Sequence, residues 1–233
     1  MSIDSRAEPT QAPNIFGSTV ELIVGTEAVP LRVHESLLRP HSAFFDAALN
    51  KCWKEGNEKI IRLPEEELRI VTKYVQFLYT SKIHIDKTKD WIPRYSSAGI
   101  PEHLALAELY VFGERVQDVT FKNATMAAWV ARVCEPVTGE KYDFPDNKAI
   151  DMIYEGTTSG SLARLFVVGL YVRFAAEHWI PELPEDNNKE FLVDLVRLTL
   201  KYRRMGIVWV GGSGDTGAAL GRMDFNNYYE SGK

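Results

Sequence analysis

The feature that most constrains this chain is a change in the period of its apolar residues. Val20, Leu22 and Val24 alternate with Thr19, Glu21 and Ile23, the period of two that marks a strand with one mostly apolar face. Residues 25–28 then supply a turn, and 29–33 return as the second arm of a hairpin, with Pro30 placing that arm at a sheet edge or a strand start. From His34 onward the period becomes helical. A short helix through Ser36, Leu37 and Leu38 is broken by Pro40, and a second opens at Ser42, an N-cap residue, with Phe44, Phe45, Ala48 and Leu49 on its buried side. A short strand over 59–63 leads to Pro64 and to Glu65, Glu66 and Glu67, an acidic first turn suited to a helix dipole. Leu68, Val71, Val75, Leu78 and Tyr79 give that helix its apolar face. Residues 81–85 read as one more strand, and 86–101 as a surface connection.

The remainder is helical. Leu104, Ala107, Tyr110, Val111 and Glu114 share one side of a helix, and a second runs through Phe121, Ala124, Ala128 and Trp129. Two prolines and a glycine make 135–146 a linker. Three helices are expected beyond it: 147–154, 162–178 after a Ser161 cap, and 189–202 after Asn187, which stands in capping-box spacing with Glu190. The apolar stripes of the last two are expected to be core, with Trp179 and Trp209 as contacts between domains or chains. The expected division is a flexible leader over 1–16, a first domain over 17–134, a helical extension over 135–205 and a glycine-rich flexible tail over 206–233.

Composition removes several functions. With 27 basic against 32 acidic residues the net charge is -5, which does not suit a general phosphate-binding surface, so no nucleic acid is expected. Cys52 and Cys134 have no paired spacing, and His34 and His41, seven apart, have no acid pair arranged around them, so neither a disulfide framework nor a metal is expected. The first 17 residues hold no apolar core of a secretory signal. The longest apolar run, 165–172, is bounded by Arg164 and Arg173 and falls far short of the roughly 20 residues that span a bilayer. His34 is adjacent to no completed triad, no serine stands in a G-x-S-x-G elbow, and Glu65, Glu66 and Glu67 point in different directions on a helix. No catalytic residue or cofactor is therefore assigned.

Two other readings compete with a binding role. Gly212, Gly214 and Gly217 spell G-x-G-x-x-G after a strand-like 207–210, which would suit a nucleotide-binding enzyme. That site also needs a unit of about 30 residues with an acid about 20 positions on, and none is expected here. A transcription-associated regulator would need a basic reading element, and Lys201, Tyr202, Arg203 and Arg204 are too short a run to make one.

The strand 18–25, the segment 31–38 from Leu31 through His34 to Leu38, the run 41–45 ending in Phe44 and Phe45, and the helix end 77–80 occur in an order that resembles the BTB/POZ domain over about 18–123. The later helices resemble the helical extension of short, fungal-type BTB proteins. One departure is Thr19, where many members carry Asp, an acid that in some of them lies in a charged pocket beside the homodimer interface. The resemblance implies an α+β, mainly helical fold, a small sheet flanked by helices with a C-terminal helical extension. It further implies a non-enzymatic adaptor in cytoplasm or nucleus, with other proteins as partners, in a homodimer or hetero-oligomer, and no membrane. Ser18, Thr19, His34, Leu37, Leu38, Phe44 and Phe45 are then the fold and oligomerisation motif. In some members a cullin scaffold of a ubiquitin ligase is bound through a hydrophobic-x-Glu pattern, which Trp53, Lys54 and Glu55 match. The other reading of those residues is that Trp53 covers a helix end while Glu55 is solvated.

Overall fold

A computed structural model describes residues 15–50, 58–85, 100–137, 142–182, 188–205, 216, 220 and 223–231. These group into two compact units, the described residues of Met1–His84 with Arg115–Phe121, and those of Ile85–Glu114 with Lys122–Lys233.

The first unit holds the sheet. Strands β1 (Thr19–Val24), β2 (Val29–His34) and β3 (Ile60–Leu63) lie in the order β2-β1-β3, with β2 antiparallel and β3 parallel to β1. The alternation of β1 sends Val20, Leu22 and Val24 inward, where they are buried. Gly25 takes φ +72° and opens the turn that Ala28 N–H closes on Gly25 O at 3.1 Å. Pro30 faces Ile23 from the edge strand, where its missing donor matters least.

Helices α1 (Glu35–His41) and α2 (Ala43–Ala48) follow β2. Between them Ser42 is extended, and its buried hydroxyl caps α2 by accepting from Phe45 N–H at 3.1 Å while donating to Val116 O at 2.5 Å. Phe45 and Leu49, four apart, are buried, whereas Phe44 is 38% exposed. Successive helical residues are about 100° apart, so Phe44 cannot share the face of Phe45.

Helix α3 (Leu68–Thr80) departs from expectation at both ends. Leu63 O accepts from both Gly25 N–H (3.0 Å) and Glu66 N–H (3.3 Å), so Pro64, Glu65 and Glu66 form a turn and Glu67 is the N-cap. The three glutamates precede the helix instead of filling its first turn. Its buried face is Ile70, Val71, Tyr74, Phe77 and Leu78, with Leu68 exposed and Val75 and Tyr79 only half-buried. Ser81, at φ +55°, ends α3 by donating its N–H to Phe77 O at 2.7 Å, and 81–85 form no strand. Tyr74 is the centre of this core: it stacks on Phe45, meets Phe121 edge-on at 4.9 Å, and donates its hydroxyl to the buried Asp118 at 3.0 Å.

The second unit is helical. Helix α4 (Glu102–Arg115) leads to α5 (Val119–Cys134), with Arg115 and Val119–Phe121 belonging to the first unit, and α6 (Asn147–Gly156), α7 (Leu162–Phe174) and α8 (Lys189–Arg204) follow. Trp129 is fully buried and donates from Nε1 to His103 Nδ1 at 2.9 Å. Burial, reinforced by Arg132, pushes the His103 pKa down to about 3, so the imidazole stays neutral and accepts that bond. Helix α7 is shorter than expected. Ala175 is extended, and a 3₁₀ turn, Glu177–Trp179, carries Trp179 back against Phe144 (5.3 Å) and Tyr171 (5.5 Å) of the same unit. Ser161 stands at the N-cap of α7 without a capping bond, and the cap of α8 is Asn188, which accepts from Phe191 N–H at 3.1 Å, in place of Asn187.

Glycine content predicts a loose tail over 206–233; of its described residues Leu220, Met223 and Tyr228 are buried. Tyr228 is buried in a 3₁₀ turn, Phe225–Tyr228, and Glu230 exchanges both main-chain groups with the Asn123 amide at 2.8 Å each. Gly212, Gly214, Gly217 and Trp209 lie outside the described residues. No helix among the described residues is long and apolar enough to cross a membrane.

Gly156 lies against Val111, so close that a Cβ would overlap the valine side chain. Gly156→Ala should lower stability by about 1–3 kcal/mol, and Val111→Ala in the same chain should recover part of that loss, as read by urea denaturation.

Candidate protein-interaction surface

The pairing of Thr19 with His34 places Ser18 beside Glu35, whose N–H donates to Ser18 O at 3.0 Å. The side chains follow: Ser18 Oγ donates to Glu35 Oε2 at 2.7 Å, and Lys59 Nζ reaches both Glu35 Oε2 (2.8 Å) and Ser18 Oγ (2.6 Å). Lys59 arrives there because its own carbonyl accepts from Glu21 N–H at 2.9 Å at the start of the parallel pairing, with φ +55°. One turn along α1, Arg39 binds Glu35 at 3.2 Å and extends to Asp46 of α2 at 2.7 Å. The outcome is a chain of alternating charges, Lys59, Glu35, Arg39 and Asp46, around the exposed Ser18. Hydrogen bonds from Lys59 and Ser18, against a smaller effect of burial, draw the Glu35 pKa down to about 2.

The expected motif residues divide into three groups. Leu37, Leu38 and Phe45 are core. His34 ends β2, where its N–H donates to the Tyr79 hydroxyl at 3.2 Å and its Nδ1 lies 2.6 Å from the same oxygen; the ring is a structural partner. Ser18, Thr19 and Phe44 are at the surface. Thr19 bears no charge, and the carboxylate beside Lys59 comes from Glu35 instead. Ile15 and Phe16 are also exposed, Phe16 at 84%. Trp53, Lys54 and Glu55 lie outside the described residues.

Sequence reasoning missed Glu35, Arg39, Lys59 and Tyr79. The spacing of Glu35 and Arg39, four apart on a helix, was readable as an ion pair. Lys59 and Tyr79 were not, since their places depend on strand register and on the docking of α3. Among the described residues no three His, Cys, Asp or Glu side chains are grouped to hold a metal ion.

These residues lie on a small sheet clad by helices, the architecture of a domain class that generally serves protein–protein interaction. The BTB/POZ domain family model matches residues 12–120, and the chain therefore carries a BTB/POZ domain over them. Comparison with curated proteins finds no match.

The Glu35 cluster has a pH signature. Because the folded carboxyl titrates near 2, below its ordinary value of 4.5, its contribution is complete above the ordinary value and is lost as pH falls from there toward 2. Both cations are about two-fifths exposed, so the effect is small. Glu35→Gln should cost about 1 kcal/mol or less at neutral pH, and the gap between the denaturation curves of the two proteins should close toward pH 2.

Proposed function

We propose that this chain is a non-enzymatic scaffold or adaptor that works in cytoplasm or nucleus through BTB-mediated homo- or hetero-oligomerisation. The observation that carries the reading is the family match over residues 12–120. The exposed Phe16 and Phe44 support it, since aromatic side chains left at a surface are the residues that dominate binding once a partner desolvates them. In this reading 17–134 is the interaction domain and 135–205 a helical extension. Light scattering should give a mass above that of the monomer, and Phe44→Asp should reduce it without unfolding the chain. A strictly monomeric protein that recovers no partner in affinity capture overturns the proposal.

Within that role we assign Trp53, Lys54 and Glu55 to contact with a cullin scaffold, which makes the chain a substrate adaptor for a ubiquitin ligase. The support is their hydrophobic-x-Glu pattern following α2. Trp53→Ala with Glu55→Ala should abolish cullin pull-down while leaving the oligomeric mass unchanged; undiminished pull-down removes the assignment.

A further inference from the structure

Ten large apolar residues are exposed among the described ones, and five of them, Leu165, Val193, Val196, Leu200 and Met205, fall on α7, α8 or the residue that caps α8. Such a concentration is more than scattered surface apolarity. Val193, Val196 and Leu200 have the spacing i, i+3, i+7 and are 46%, 57% and 47% exposed, so they form one stripe along the outer side of α8. The inner side is the one that carries Phe191, buried edge-on to Tyr154 and Tyr171 and about 200° around the helix from Val193. Between α7 and α8 runs an open groove of about 310 Å³ in which Leu165, Val168 and Leu198 meet Arg197 and Lys201.

Charge selects the occupant. Helix α8 carries Lys189, Arg197, Lys201, Arg203 and Arg204 against only Glu190 and Asp194, in a chain whose net charge is -5. Both acids are engaged inside the unit, Glu190 with Arg164 at 2.5 Å and Asp194 with the Tyr154 hydroxyl at 3.0 Å. Arg197 is 77% exposed and reaches Asp194 only at 3.8 Å. A second copy of α8 would set this cationic surplus against itself. A flat lipid surface would meet the stripe and leave the groove unfilled.

We infer that α8 and the groove beside it form a docking face for an acidic amphipathic helix of a partner protein. Its apolar side chains rest on Val196 and Leu200 and enter the groove over Leu165, and its carboxylates pair with Arg197 and Lys201. The inference does not rest on the BTB/POZ reading of residues 12–120.

The test is fluorescence anisotropy of the full chain with a labelled synthetic helix bearing Leu at i, i+3 and i+7 flanked by Glu, compared with the same helix bearing Lys in place of Glu. The Glu helix should bind saturably, about tenfold or more tighter than the Lys helix, and weaken as salt is raised. Val196→Glu with Leu200→Glu should lose the binding, and Arg197→Gln with Lys201→Gln should remove the preference for Glu; all four side chains lie at the helix surface, and circular dichroism should be unchanged. Absence of binding, equal binding of the two helices, or binding untouched by the variants overturns the inference. So does flotation with phosphatidylserine vesicles that requires Val196, which would make the face a lipid surface, or a step in light-scattering mass lost with Val196→Glu, which would make it a contact between copies.

Discussion

Strand β1 is hydrogen-bonded on both edges, to β2 in antiparallel and to β3 in parallel register, and the first unit is organised by that double pairing. The antiparallel side needs only the turn after Gly25. The parallel side cannot be closed by a turn, because β3 must enter from the same end as β1, so the chain travels through α1 and α2 before it returns. That detour brings Ser42 beneath Val116 and Phe45 against Tyr74, and it brings Lys59 to Ser18 and Glu35. The core and the charged surface of this unit thus share one cause.

Buried polar groups in both units are arranged so that burial helps them hold their partners. Asp118 accepts from Tyr74 and from Phe121 N–H, and its removal from water raises its pKa while these bonds act in the opposite sense. His103 solves the same problem by staying neutral, which lets Trp129 be fully enclosed with its indole N–H satisfied. Arg132, nearly inaccessible, lies between the carboxylates of Glu102 and Asp143, and a buried guanidinium without such partners would be strongly destabilising.

Local signals in the sequence were read where local physics decides. The alternation of β1, the edge position of Pro30, the Ser42 cap and the existence of each major helix follow from period and capping chemistry. Errors arose where a distant contact decides. Pro64 suits a helix start, but the demand of Gly25 N–H on Leu63 O keeps the next residues in a turn. Ile83 and Ile85 suit a strand, but Ser81 turns the chain into the left-handed region, and among the described residues no strand pairs with them. Phe44 is the exception: its apolarity suggests burial beside Phe45, but local geometry alone keeps adjacent helix positions from facing the same way. The candidate surface was legible at Ser18 and at the Glu35–Arg39 spacing, and illegible at Lys59, whose approach is a product of register.

The closing segment has a consequence for biosynthesis. Asn123 gives its amide to the main chain of residue 230, and Lys122, nearly buried, ends on the Glu230 carboxylate as well as on Glu114. Those partners leave the ribosome more than 100 residues apart. Until residue 230 has been translated and has left the ribosome, an inward-facing ammonium and an unmet carboxamide stay open on α5, so the second unit cannot reach its final packing before then. A product released early would carry that gap as a defect recognisable to quality control.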